Sequence, residues 1–432
     1  MRSWIIIVCL IFFSGFWTSL RAQNTGSPYT NLGIGVMQPK GLAYHQNMGG
    51  LGISSNNAWV VNNLNPALLP YNTFTTFEAA LTTESRVITS DTLSQKNLSG
   101  NLGYLLFSFP LKTGKSTFSM GLMPYSNVSY KMETQGTVER STTNAHYSYQ
   151  GSGGINQVFV AAGWKLFKGF YLGIKASYLF SSIDDISLIQ LYDIPEDSVE
   201  VLKNYYTSAH STKTRFSDFI FEPGIAYIIK IADKTTLNLG ATYEIASKIN
   251  TYRSETLEMR TGPEIPLVGD TLYLDKRYST QFPTRMAFGV SLNKFLNWSV
   301  GMDFHYEKWE SYKNYQGNNE GLKNSMKIIL GGEITPDIAS VTNYLQRITY
   351  QAGVYYEKTP IYVKNRQIDD YGMNFGVSLP ISNASLITVG VNFGQMGTLS
   401  DHLIKENYIK FKLGLSFNDR SFGWYRKQRK FN

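Results

Sequence analysis

The sequence contains one cysteine, Cys9, which lies in an apolar run close to the N-terminus. A mature chain without this run has no thiol, and this excludes a disulfide framework and a thiolate metal site. The five histidines are scattered without the spacing of metal ligands, and there is no Gly-x-Ser-x-Gly elbow, His-Glu-x-x-His motif or glycine-rich phosphate loop. We therefore predict that the protein is not an enzyme, with no catalytic residue, no metal site and no cofactor.

A long apolar run is missing as well. Trp4–Trp17 is shorter than the ~20 residues of a membrane-spanning helix, and Leu20-Arg21-Ala22 provides a small residue for cleavage. These features predict a secretory signal peptide over residues 1–22, cleaved near Ala22. In an exported chain the formal net charge of +8 gives no reason to expect nucleic acid as a partner. Export, the absence of disulfides and the 29 Tyr and 25 Phe residues favour an outer-membrane β-barrel over a periplasmic enzyme.

Alternating apolar and polar residues are present through most of the chain, and Tyr408–Asn418 and Leu237–Ile245 are clear examples. Successive side chains of a strand point to opposite faces, so each run has one apolar and one polar face. In a transmembrane barrel the apolar face contacts lipid, because a charged side chain there costs ~2–4 kcal/mol near the midplane. We therefore predict that Asp303, Lys410 and Lys412 face the barrel interior.

The alternating runs predict an all-β fold, a transmembrane antiparallel β-barrel of about fourteen strands over residues 73–418. The even-numbered connections are mostly short, whereas the odd-numbered ones include the long polar segments Asp185–Lys213 and Arg253–Arg277. Short periplasmic turns and longer outer loops are typical of such barrels. The predicted strands are approximately 73–83, 99–110, 116–135, 143–166, 169–184, 214–230, 235–252, 278–292, 297–312, 323–335, 346–359, 369–380, 385–399 and 405–418.

Both ends of the mature chain differ from the barrel. Residues 23–72 do not alternate, are rich in Gly and Pro, and still carry many apolar side chains. We predict that this segment inserts into the lumen as a hatch (plug), because it is too apolar for a disordered leader.

The tail 419–432 is basic and aromatic, which predicts a place at the periplasmic interface, against lipid head groups or a partner protein. Trp164, Trp298 and Trp309 are predicted to lie in the interfacial aromatic girdles.

Several short motifs are distributed along the mature chain. They are Ser27-Pro28-Tyr29, Gly33-Ile34-Gly35, Met48-Gly49-Gly50, Asn65-Pro66-Ala67, Gly151–Gln157, Pro283-Thr284-Arg285, Gly397-Thr398 and Asn418-Asp419-Arg420. Together they resemble a Bacteroidota-type branch of the FadL-like outer-membrane transport family, and the resemblance spans essentially the whole mature chain. It implies a fourteen-stranded barrel with an N-terminal hatch, and it implies that Asn65, Pro66 and Ala67 belong to the hatch, as transport residues.

The resemblance leaves two functions open. Members of the family carry hydrophobic compounds, such as fatty acids or aromatics, inward across the outer membrane, which implies membrane lipids and a hydrophobic small molecule as partners. The family is also similar to accessory barrels of secretion machinery, which capture a partner protein and transport nothing. A continuous apolar cavity would favour uptake. A filled lumen with an exposed apolar patch outside the membrane band would favour a docking subunit in contact with other outer-membrane or periplasmic proteins.

A lateral opening in the barrel wall is also implied by the resemblance, because the family's third strand is kinked. Here Pro124, Tyr125 and Ser126 lie in the middle of the third predicted strand, and proline cannot donate to a β-ladder. Glycines in the next strand leave little side chain opposite this point. The alternative is a simple bulge that bends the strand. The glycines are Gly151, Gly153 and Gly154.

Aromatic residues in or beside the longest predicted loop are candidates for collecting an apolar ligand at the cell surface. The alternative is that they pack the loop and form the outer aromatic girdle. The candidates are Tyr205, Tyr206, Phe216, Phe219 and Phe221.

Overall fold

The computed structural model contains a barrel of fourteen antiparallel strands, as the sequence predicts. The predicted signal peptide, Tyr205 and the tail beyond Asp419 lie outside the described residues, which are 26–137, 144–193, 201–202, 206–261, 265–381 and 385–419. The barrel strands are β1 Thr75–Thr89, β2 Ser94–Lys112, β3 Ser116–Thr137, β4 Asn144–Phe167, β5 Phe170–Asp193, β6 Tyr206–Ala232, β7 Thr235–Glu244, β8 Arg285–Lys294, β9 Trp298–Glu307, β10 Ser325–Ile334, β11 Thr349–Val363, β12 Arg366–Pro380, β13 Leu386–Gly397 and β14 Lys405–Asp419.

The barrel closes between its first and last strands. β14 pairs antiparallel with β1 along its whole length, from Lys405 opposite Thr89 to Asp419 opposite Thr75. β7 pairs directly with β8, from Glu244 opposite Arg285 onward. Closure satisfies the edge strands, which a membrane-spanning sheet needs because lipid offers no hydrogen bonds.

One end of the barrel carries short turns and the other carries longer segments; we call them the turn end and the loop end. At the loop end, β7 and β8 are continued by a hairpin of strands Lys248–Thr261 and Ile265–Gln281, the outer hairpin. Its first strand pairs with the outer part of β6. The predicted loops Asp185–Lys213 and Arg253–Arg277 are therefore largely strands. The sequence prediction is wrong there because an extension beyond the lipid needs no continuous apolar face.

The helices in the described part of the chain are few and short. None of them is both long and apolar enough to cross a membrane. A two-residue strand, Val201–Leu202, pairs with the end of β5. The helices are α1 Ala43–Gln46, α2 Tyr344–Arg347 and the 3-10 helices Pro28–Asn31, Pro66–Tyr71, Trp309–Ser311 and Ser400–His402.

The two faces of the strands follow the predicted alternation. Phe411 and Phe417 are 57% and 55% exposed on the outer face of β14, whereas Lys412 on the same strand is buried inside. Asp303 is fully buried, and Lys410 pairs with Glu84 inside the barrel. The prediction that Asp303, Lys410 and Lys412 face inward is confirmed.

Trp309 corrects the prediction of an interfacial girdle position. It is 1% exposed, in a 3-10 helix of the segment between β9 and β10. Its indole Nε1 donates to Glu307 Oε2 at 2.6 Å. The segment folds inward and covers the ring with apolar side chains, a tertiary contact that local sequence does not show.

Candidate functional site in the barrel lumen

The N-terminal segment lies inside the barrel. It has two parts: the strap, residues 26–39, and the plug, residues 40–72. Most side chains of the plug are buried, among them the apolar Leu42, Met48 and Leu51. The plug packs in the turn half of the lumen, and the strap crosses above it toward the loop end.

The plug lies close against a ring of inward-facing glycines, the glycine belt. Its backbone approaches some of them, and its side chains approach others, such as Asn47 at Gly376 and Gly390. A Cβ added at Gly240 would lie 2.0 Å from Ile53 O, and one at Gly353 would lie 2.2 Å from Met48 C. Backbone atoms cannot move aside as a flexible side chain can, so only glycine fits these positions. The belt consists of Gly163, Gly173, Gly224, Gly240, Gly289, Gly331, Gly353, Gly376, Gly390 and Gly414.

Many belt glycines are direct cross-strand partners, which places a strip without side chains along the inner wall. Each pair removes two side chains at the same height, and the plug occupies the space that results, with the Asn47 side chain at Gly376 and Gly390. The paired glycines are Gly163 with Gly173, Gly173 with Gly224, Gly240 with Gly289, Gly331 with Gly353, and Gly376 with Gly390.

The predicted transport residues Asn65, Pro66 and Ala67 lie in the plug and against this belt. Asn65 Oδ1 accepts from Ala67 N at 3.0 Å and caps the 3-10 helix that begins at Pro66. Its Nδ2 donates to Ile53 O at 2.8 Å and to Ile225 O at 3.0 Å. The side chain therefore joins two parts of the plug to the wall, and all three residues are buried.

Two further polar side chains hold the plug, and the sequence analysis did not assign this role to them. Asp303 Oδ2 on β9 accepts from Gly52 N at 2.7 Å and from Ile53 N at 2.9 Å. Asn47 Nδ2 donates to Gln351 Oε1 at 2.8 Å and to Val389 O at 3.2 Å. The sequence did hold a signal for Asp303: it was predicted to face inward, and a buried carboxylate needs hydrogen-bond donors nearby.

A layer of ion-paired charged side chains lies at the height between the plug and the strap. On one side of the lumen Lys40 Nζ lies 2.5 Å from Glu244 Oε2, and Lys175 Nζ lies 2.6 Å from Glu222 Oε2. On the opposite side Arg86 pairs with Glu84 and Glu406, and Lys327 pairs with Glu357. This layer is polar, which is unfavourable for an apolar molecule passing along the axis.

Two cavities lie on opposite sides of the plug. The first, of about 230 Å³, lies between the strap and the plug and is lined by many of these charged residues. The second, of about 390 Å³, lies at the turn end and is lined by residues such as Trp59, Trp298 and Leu386. The two cavities share no lining residue, and the plug lies between them.

Pro124 lies where β3 separates from β2. The ladder between β2 and β3 ends at the pair Leu105–Leu122, two residues before Pro124. Beyond that point the strap takes the place of β2: Gln38 N donates to Tyr125 O at 3.0 Å, and Ser126 Oγ donates to Ile34 O at 2.6 Å. The backbone hydrogen bonding between β2 and β3 is therefore interrupted beside the predicted residues, and the strap covers the interruption.

The other edge of β3 stays paired. A bulge at Pro124 interrupts the ladder with β4, which resumes at the pair Ser126–Ile155 and continues through Gly154, Gly153 and Gly151. These three glycines accommodate close contacts. A Cβ at Gly153 would lie 2.0 Å from Ser182 O, and one at Gly151 would lie 2.0 Å from the Tyr130 ring.

The predicted ligand-collecting aromatics are not brought together. Phe216 is buried in the lumen, whereas Phe219 and Phe221 are 54% and 44% exposed on the outer face of β6. Tyr205 and the side chain of Tyr206 lie outside what the structure describes. Phe216 belongs instead to an apolar group, the loop-end cluster, formed by Ile34, Tyr125, Val128, Tyr130, Ile155, Leu179, Ile183, Phe216, Ile220, Ile249, Phe282, Trp309, Tyr312 and Leu322.

Comparison with solved structures shows the fold of small-molecule channels. The chain is similar to the CymD monoaromatic hydrocarbon channel, at 12% identity and a TM-score of 0.57, with 89% of this chain and 99% of that chain covered. It is similar to the Pseudomonas putida toluene transporter TodX, at 15% identity and a TM-score of 0.58, with 89% and 100% covered. A Pseudomonas aeruginosa FadL homologue matches at 12% identity and a TM-score of 0.56, with 89% and 99% covered.

Sequence comparison gives a more specific result than these structural similarities, which establish the fold alone. No curated protein matches the chain. One family model, named BamG, matches residues 1–432. Because this match extends over the whole sequence, the chain belongs to the BamG family.

Proposed function

We propose that the protein is a non-transporting docking subunit of an outer-membrane protein complex, in secretion or assembly machinery. The observation that carries the proposal is the filled lumen: the plug contacts the glycine belt on strands around most of the barrel, and the cavities on its two sides share no lining residue. A wall fitted this closely to the plug opposes the displacement of the plug that passage through the lumen requires. Membership of the BamG family, rather than of a channel family, is consistent with this role.

The outer hairpin provides a surface for a partner. Leu257, Val268 and Leu274 are 50%, 70% and 74% exposed. Leu257 is opposite His210 on β6, and Tyr227 on the same strand is opposite Phe170 at the turn end. His210 and Tyr227 are therefore roughly 55 Å apart along β6, at about 3.3 Å per residue. This exceeds the ~30 Å hydrocarbon core even for a tilted strand, which places this part of the outer hairpin beyond the lipid. Exposed apolar side chains outside the membrane band mark a protein contact.

The backbone of the outer hairpin supports the same proposal. Within the described chain, strand Ile265–Gln281 forms a ladder only with Lys248–Thr261, and beyond it a single bridge joins Gln281 to Lys313. Its other edge presents backbone donors and acceptors to solvent. A strand of another envelope protein could extend the sheet there.

The test is purification of affinity-tagged protein in mild detergent from its native envelope, followed by native mass spectrometry. We expect envelope proteins in a fixed stoichiometry, lost from a Leu257→Thr, Val268→Thr, Leu274→Thr variant that still folds. A matched control, Phe219→Thr on the lipid face, should retain them. A monomer free of protein partners would contradict the proposal.

A second candidate is passive uptake of a hydrophobic small molecule, and the similarity to CymD and TodX favours it. Such a molecule would have to displace the plug at Asn65–Ala67 and leave through a lateral opening near Pro124, where the strap lies. Ser54 of the plug and Ser291 on β8 are in contact, since Ser291 Oγ donates to Ser54 O at 3.1 Å. We choose this pair for a disulfide that would hold the plug.

The pair Ser54→Cys with Ser291→Cys distinguishes the two functions, since the mature chain contains no other cysteine after loss of the predicted signal peptide. Under oxidising conditions a docking subunit should keep its partners and its cellular function. Loss of toluene or fatty-acid uptake, restored by a reductant, would favour the channel.

A further inference from the structure

Lys412 is a buried basic residue without a counter-ion. Three lysine and arginine residues of the described chain are more than nine-tenths buried: Arg86, Lys175 and Lys412. Arg86 contacts Glu84 and Glu406, and Lys175 contacts Glu222. Lys412, 7% exposed, has no ion-pair or hydrogen-bond partner among the described residues.

An unpaired ammonium in this position is costly. Removing an ion from water costs several kcal/mol even after the protein relaxes, so such a group binds a counter-ion or hydrogen-bond acceptors or else loses its proton. The Lys412 ammonium has three N–H donors. Its strand neighbours across the ladders are Gly390 and Thr82, neither of which carries a charge.

The side chain lines the cavity between the strap and the plug, together with Lys410 and Lys327. The nearby carboxylates are already engaged. Glu84 lies 2.5 Å from Arg86 Nη2 and 3.4 Å from Lys410 Nζ, and Glu357 lies 2.9 Å from Lys327 Nζ. The positive charge that remains unmatched in this part of the cavity is therefore that of Lys412.

A third carboxylate of this cavity is satisfied by hydroxyl groups. Tyr408 OH donates to Asp370 Oδ1 at 2.6 Å, and Tyr355 OH lies 3.5 Å from the same oxygen. Two amides of this cavity are also paired, since Asn392 Nδ2 donates to Asn374 Oδ1 at 2.8 Å and Asn374 Nδ2 donates to Gln46 O. These carboxylates and amides are therefore occupied by other partners, whereas the Lys412 donors have none in the described part of the chain.

We propose that Lys412 binds a small oxyanion, a phosphate, sulfate or carboxylate, in this cavity. A cavity of about 230 Å³ has room for such an ion and several waters, because a water occupies ~30 Å³ in the liquid. The anion supplies the missing charge and accepts the ammonium hydrogens. Lys410 and Lys327 add positive potential on the same cavity wall. This site is independent of whether the barrel docks a partner or transports a molecule.

The test uses the full mature protein in a non-ionic detergent, dialysed into chloride. Phosphate, sulfate and acetate are titrated separately by calorimetry at matched ionic strength. We expect saturable binding of at least one of them in the wild type, weakened at least about tenfold in Lys412→Met because charge-assisted hydrogen bonds are lost. A response to acetate alone would define the site as one for carboxylates.

The matched control is Lys175→Met, which removes an equally buried lysine that has a carboxylate partner. It should lower the thermal stability but leave anion affinity unchanged. Lys412→Met should be at least as stable as the wild type, because it removes an unpaired buried charge. No anion-specific binding in the wild type, or equal binding in Lys412→Met, would overturn the proposal. Anomalous density from selenate within hydrogen-bond distance of Lys412 Nζ would support it directly.

Discussion

The barrel fills its interior in two different ways at two heights. At the glycine belt the wall has no side chains, and the plug backbone fits against it with polar contacts from residues such as Asp303 and Asn47. In the loop-end cluster the wall contributes large apolar side chains, which pack with Trp309 and Phe282. The first arrangement depends on shape and on hydrogen bonds, and the second on burial of apolar area. Substitutions at the two heights should therefore have different consequences.

The largest effect is expected at the glycine belt. Gly353→Val should prevent the plug from seating, because its Cβ would lie 2.2 Å from Met48 C and 2.3 Å from Met48 O. Heat-modifiable migration on a gel, which reports a folded barrel, should be lost. Gly100→Val is the control, since its nearest contact would be Thr83 Cγ2 at 3.7 Å. A normally folded Gly353→Val protein would mean that the belt does not confine the plug.

A smaller but substantial loss is expected in the loop-end cluster. Trp309→Ala should destabilise the barrel by about 3–5 kcal/mol, because it leaves a cavity among packed rings. Trp309→Phe keeps most of the apolar volume and should lose less. Denaturant unfolding of both variants measures the difference. If Trp309→Ala displaced the plug as Gly353→Val does, the loop-end cluster and the glycine belt would not differ in their roles.

At the height of the plug, removal of the Asp303 carboxylate as a hydrogen-bond acceptor should release part of the plug. Asp303→Ala leaves Gly52 N and Ile53 N without their acceptor, at a cost of about 3 kcal/mol. Limited proteolysis should then cleave the plug while the strands remain resistant. Asp303→Asn retains one acceptor oxygen and should give an intermediate result. Unchanged protection in Asp303→Ala would show that the belt alone holds the plug.

The smallest effect is pH-dependent. Burial lowers the pKa of His45, in the plug, from its ordinary 6.5 to about 4. Below pH 6.5 the unfolded chain binds a proton that the folded chain does not, so stability falls as the pH decreases from 6.5 to 4. At pH 5 the loss is about 2 kcal/mol. His45→Phe should unfold with a smaller change between pH 7 and pH 5, and an identical change would exclude His45 as the source.

Alternation along the chain was sufficient to predict the barrel. The lipid imposes one apolar face on every strand, so strands such as β14 and β10 are visible in the sequence within a few residues. Outside the lipid this constraint ends, which is why the outer hairpin was predicted as a loop. The Bacteroidota-type branch and the signal peptide stay predictions.

The candidate site could be predicted only in part. Asn65, Pro66 and Ala67 were placed in the N-terminal segment through a resemblance, and the structure shows what each contacts. The belt was not predicted, although glycines such as Gly240 and Gly289 lie on the polar faces of their strands. Their meaning depends on cross-strand register and on the path of the plug, and neither is a local property of sequence.

The enclosed plug also constrains the order in which the molecule is assembled. Strands around most of the circumference contact the plug, and β14 pairs with β1 over fifteen positions from Lys405 to Asp419. A plug that fits so closely has no wide entrance once this last ladder has formed. We therefore expect residues 40–72 to be laid into an open, curved sheet first, with the joining of β14 to β1 as the final and committing step of biogenesis.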